Sequence, residues 1–104
     1  MAQINQITAT QEQMDEIIAP FLSRGWTLKS LRNSIGTRVK ATEKRNVKVY
    51  CYLLRKRTGI STYTIGKHLL TSFNTAERFI REVKSTDLIY YANLIEREID
   101  ARSK

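Results

Sequence analysis

Apolar residues follow a helical period at both ends of the chain and a two-residue period in the middle. In "TQEQMDEIIAPFLSRG", Met14, Ile17, Ile18, Phe21 and Leu22 recur at three- and four-residue spacing, which predicts an amphipathic N-terminal helix. Thr10 with Gln13 suits a capping box, Asp15 and Glu16 suit the positive end of the helix dipole, and Gly25 suits a C-terminal stop. Pro20 predicts a kink or an early end, because it lacks an amide donor and crowds the preceding turn.

Over 37–43 the side chains alternate, Val39 and Ala41 to one side, Arg38, Lys40 and Thr42 to the other. "KRN" at 44–46 reads as a tight connection. Alternation resumes with Val47, Val49, Cys51 and Leu53 on one face and Lys48, Tyr50, Tyr52 and Leu54 on the other. "RKRTG" at 55–59 reads as a second turn, and "ISTYTIG" as a third short strand rich in β-branched and aromatic residues. Connections this short imply an antiparallel meander, since parallel pairing needs long crossovers. Residues 26–35 fit either a short helix between Thr27 and Gly36 or a fourth strand carrying Trp26, Leu28 and Ser30, the strand being favoured beside a β region.

The helical period returns in "NTAERFIREV", with Asn74 as N-cap, Glu77 three residues on, and Phe73, Ala76, Phe79, Ile80 and Val83 on one face. After "KST", Leu88, Tyr91, Ala92, Ile95 and Ile99 form another stripe. The fold class expected is therefore α+β: a three-stranded or four-stranded antiparallel sheet, an N-terminal helix and one or two C-terminal helices.

A chain of 104 residues, 41% hydrophobic and 27% charged, is expected to form one domain spanning 1–104. It has no signal-like N-terminus and no long apolar window, which leads to a cytoplasmic expectation and no membrane partner. One cysteine, Cys51, and one histidine, His68, offer no disulfide within the chain and no metal cluster. Cys51 reads as a small buried residue and His68 as structural. With no phosphate-cradling glycine loop and no nucleophile–base pairing, neither a cofactor nor an enzymatic activity is expected.

Charge changes the picture more than composition does. The net charge is +8, and residues 24–67 hold twelve of the eighteen bases but only one acid, Glu43. Concentrated positive charge favours a polyanionic partner. On the expected sheet, Arg38, Lys40, Lys48, Tyr50, Tyr52 and Tyr63 share the outer face, with Arg55, Lys56 and Arg57 in an exposed turn. Bases neutralise phosphates, arginine also forks onto guanine, and tyrosine offers a hydroxyl and a ring. The competing view buries those tyrosines beneath a terminal helix and leaves the lysines as a solvated surface.

The run of strand, basic turn, strand and "SFNTAERF" resembles the three-stranded DNA-binding domains of plant ethylene-response factors and the arm-binding domains of tyrosine-family integrases. Ser72, Phe73, Asn74, Thr75, Ala76 and Glu77 carry the likeness, which spans about residues 37–83. It implies a sheet entering the major groove with a helix packed behind, and a DNA-contact role for Arg38, Lys40, Tyr50, Tyr52, Arg55 and Tyr63. The tryptophans of the plant domains have no counterpart on these strands.

Together these observations lead to the expectation of a small basic nucleic-acid-binding protein, duplex DNA favoured, acting as a regulator or accessory factor of a phage or mobile element. An interaction or inhibitor protein docking on an acidic groove of a larger nucleic-acid enzyme is the second reading, and RNA binding the third. The terminal helices are candidates for homodimerisation.

Overall fold

The computed structural model describes residues 11–36 and 38–102, and among them are six helices and no strand. In chain order these are α1 (Gln11–Leu22), α2 (Leu28–Asn33), α3 (Ala41–Thr58), α4 (Thr62–His68), α5 (Phe73–Ser85) and α6 (Leu88–Arg102). The expected α+β class and its antiparallel sheet are overturned, and with them the likeness to sheet-based DNA-binding domains. Of the segments read as strands, 47–54 lies inside α3, 60–66 supplies most of α4, and the described part of the first, 38–43, is a connection running into the first turn of α3. The capping role expected of Thr10 falls outside the described residues, as does Thr37.

α3 explains the misreading. Asn46, Val47, Val49, Tyr50, Cys51, Leu53 and Leu54 are all buried, so the inner face of the supposed strand and, from its outer face, Tyr50 and Leu54 lie in the core. α3 packs against α1, α2, α4, α5 and α6. A helix enclosed on most sides carries a wide apolar arc and only a narrow polar stripe, here Arg45, Lys48, Tyr52 and Arg55, and a run so densely apolar mimics a strand. Its β-branched and aromatic residues favour strand by local preference, and burial against five neighbours outweighs a preference of about 1 kcal/mol or less per residue.

The ends of α3 follow from the same helix. "KRN", expected as a connection, lies within its first turns, and Asn46 Oδ1 accepts a hydrogen bond from the Tyr91 hydroxyl at 2.6 Å. Arg55, Lys56 and Arg57 form its last turn, where cations complement the helix dipole. Gly59, at φ 75°, ends it, donating its amide to the Arg55 carbonyl.

Side-chain hydroxyls start three of the helices. Thr27, Ser61 and Ser72 each accept from the backbone amide three residues ahead, at 3.1, 3.1 and 3.2 Å. Thr27 thus begins α2, which settles the 26–35 segment as a short helix over Leu28–Asn33 rather than a strand, while the cap of α5 is Ser72 and not Asn74. Pro20 lies inside α1, two residues before its end. α1 closes with Gly25 donating to the Leu22 carbonyl and Trp26 to that of Phe21, the Schellman pattern, with Gly25 at φ 85°. Arg24 then forks onto Glu98 of α6, and that bond holds the Glu98 carboxyl below its ordinary range.

Candidate nucleic-acid interface

α4 and α5 are joined by residues 69–72 and pack together as extensively as any two helices of the molecule. The junction is tightly specified. Leu70 donates to the Lys67 carbonyl at 3.2 Å and Thr71 to the Gly66 carbonyl at 2.8 Å, again the Schellman pattern, but with Leu70 at φ 59° where glycine normally stands. Gly66 is the point of closest approach. A Cβ there would lie 2.9 Å from the Thr71 carbonyl oxygen and 3.1 Å from the Phe73 nitrogen, both backbone atoms.

Two further contacts hold α4 in place. The His68 carbonyl, at its C-terminal end, accepts from Arg32 Nε and Nη2 at 3.0 and 2.6 Å. The His68 ring meets the Tyr50 hydroxyl at 2.9 Å through Nε2. Burial, and secondly the charge of Arg32, lowers the His68 pKa from its ordinary value.

α5 buries Ala76, Phe79, Ile80 and Val83. The opposite side exposes Asn74, Glu77, Arg78, Arg81, Lys84 and Ser85, with half-exposed Phe73 at its start. On α4, Tyr63 is 61% exposed and Lys67 sits 5.3 Å from its ring centre. Among the described residues, Lys67, Arg78, Arg81 and Lys84 have no acidic partner. Arg78 lies beside the Phe79 ring, which costs nothing in charge.

The residues singled out in the sequence do not share one face. Tyr50 is 1% exposed, its ring edge-on to Phe21, and burial raises its pKa. Tyr52 is half-buried on α3, with Lys56 beside its ring. Lys48 forms an ion pair with Glu82 of α5 at 3.0 Å. Arg55 turns back on the Gly59 and Ile60 carbonyls at 3.0 and 2.8 Å. Lys56 and Arg57 both bond Glu96, and Arg57 also Asp100. Arg38 and Lys40 are exposed before α3. Of the set, Tyr63 alone belongs to the α4–α5 unit.

Sequence reading missed Arg78, Arg81, Lys84 and Lys67 because their α5 or α4 hosts were given other work, a cover for a sheet and a strand. A usable signal was present in the two serine caps, Ser61 with Thr64 and Ser72 with Thr75, which bracket a short helix and its turn.

A cleft of about 350 Å³ lies between the α1–α2 connection, α2 and the start of α3, lined in part by Trp26, Asn33, Ser34 and Glu43. Glu43 is the one titratable side chain of that lining. No group of three or more metal-ligating side chains occurs among the described residues, and none of their helices is long and apolar enough to cross a membrane. Comparisons with protein-family models, with curated proteins and with solved structures find no match for this chain.

Proposed function

We propose that the protein binds duplex DNA through α4 and α5 acting as a helix–turn–helix unit, with the exposed side of α5 in the major groove. The observation that carries this reading is the junction itself. A short helix, a four-residue turn closed over Gly66, and a longer helix with a free polar face form the arrangement in which a second helix reads DNA while the first crosses the backbone. Dimensions agree. A 13-residue helix is about 20 Å long and about 10–12 Å wide, and the major groove is about 12 Å across.

Charge supports the same partner. Arg78, Arg81 and Lys84 on α5 and Lys67 on α4 are free to meet phosphates, whereas Lys48, Lys56 and Arg57 are engaged by acids of the protein. If four cations each neutralise one phosphate, log Kobs falls against log[salt] with a slope of about −3.6, a loss of about 150-fold between 50 and 200 mM salt.

Fluorescence anisotropy with a random-sequence duplex across that salt range is the test. Arg81→Ala is expected to lower affinity and to reduce the slope by about one while leaving the circular dichroism spectrum unchanged. Absence of duplex binding at low salt, salt-insensitive binding, or a preference for single-stranded RNA over duplex would each defeat the reading.

A further inference from the structure

α5 carries two acids, and they are in different situations. Glu82 is half-buried and neutralised by Lys48. Glu77 is exposed and its carboxylate has no ion pair or hydrogen bond among the described residues. Arg81 stands four residues after it, the spacing that favours a pair, yet the two do not meet. Five positions beyond the Ser72 cap, Glu77 is also past the first turn, where the helix dipole would reward a negative charge. Its carboxylate is therefore solvated by water alone and open to a partner.

On a surface otherwise prepared for phosphates, an unpaired carboxylate is a repulsive element. It weakens binding to every duplex except one that presents a donor to it. A carboxylate only accepts hydrogen bonds, and in the major groove cytosine offers the N4 amine with no competing acceptor on its own edge.

We propose that Glu77 is a specificity-determining residue of the α4–α5 unit, its carboxylate accepting from the N4 amine of a cytosine in the major groove. The inference rests on the duplex-binding reading above. Asn74, one turn earlier, matches the N6 and N7 edge of adenine. At about 1.5 Å of rise per residue, Asn74 and Glu77 reach bases one or two steps apart.

The test is selection from a randomised duplex library with the full chain, wild type and Glu77→Gln, together with affinity for random duplex. Wild type is expected to enrich a fixed C·G pair, and Glu77→Gln to reduce preference at that pair by about 5- to 150-fold. The same variant is expected to bind random duplex more tightly than wild type, a gain that a misfolded variant does not produce. An undiminished preference for that pair, or no gain on random duplex, overturns the role of Glu77 while leaving duplex binding standing. If wild type binds no duplex at all, both readings fall.

Discussion

The imidazole of His68 joins α4 to the core, and its titration gives a direct measure of that joint. Burial, then the neighbouring Arg32 charge, lowers its pKa from the ordinary value of 6.5. As pH falls through 6.5 the unfolded chain therefore takes up a proton before the native protein does, so stability is full above that value and declines below it, until the folded pKa is passed. Urea unfolding midpoints are expected to drop between pH 7.5 and 5.5, and His68→Gln to flatten that dependence. The size is a fraction of the one-proton maximum of about 1.4 kcal/mol per pH unit, because the ring is only half-buried. Glu98, held low by Arg24, acts in the same direction only below its ordinary value of 4.5, outside this window. A flat wild-type profile would show that His68 is not held neutral. Cys51, by contrast, is plain at this scale. Burial pushes its thiol up to about 12, in keeping with the small core residue that its apolar neighbours suggest.

At the level of elements, the α4–α5 turn sets two backbone effects against each other. Leu70 holds φ 59° and is 75% exposed. A left-handed non-glycine residue costs about 1–2 kcal/mol, more than the about 0.5–1 kcal/mol of extra chain entropy that glycine loses on folding. Leu70→Gly is thus expected to raise stability by about 0.5–1 kcal/mol. Gly66→Ala goes the other way. Helix preference alone favours alanine by about 1 kcal/mol, but the new Cβ meets backbone at 2.9 Å, which has no soft side chain to yield, so a net loss of about 1–3 kcal/mol is expected. Thermal unfolding of both variants checks the pair, and a stabilised Gly66→Ala would remove the close approach from the account. The helix α5 was legible in the sequence because its apolar stripe is one-sided. α3 was not, because most of its circumference is covered and its polar stripe, Arg45, Lys48, Tyr52 and Arg55, is narrow, and with α3 went the sheet, the fourth strand and the tyrosine face.

Over the whole molecule, the positive charge divides between structure and surface. Lys56 and Arg57 tie α3 to Glu96 and Asp100 of α6, Arg24 ties α1 to Glu98, and Lys48 ties α3 to Glu82 of α5. Arg57→Ala is accordingly expected to lower stability, by about 1 kcal/mol for a half-exposed pair of contacts, and to leave duplex affinity unchanged. Arg81→Ala should do the reverse. Measured side by side by thermal unfolding and anisotropy, equal effects of the two variants on affinity would contradict this division. Within the basic run, Arg24, Lys48, Lys56 and Arg57 are engaged by acids of the protein while, among the described residues, Lys29, Arg38, Lys40, Lys44, Arg45 and Lys67 are not, and the other free cations of the α4–α5 unit lie after it, in a stretch whose acids and bases balance.

The sequence by itself determined the helices whose one side faces solvent, α1, α5 and α6, because their apolar stripes record a single direction of burial. It also determined the burial of Cys51 and the excess of positive charge, which depend on residue type and number. Tertiary structure alone decided that 41–58 is one helix, that Tyr50 bonds His68 inside the core, and which cations remain free. Those outcomes depend on partners many residues away, and an enclosed helix or a paired charge leaves no periodic mark of its partner along the chain.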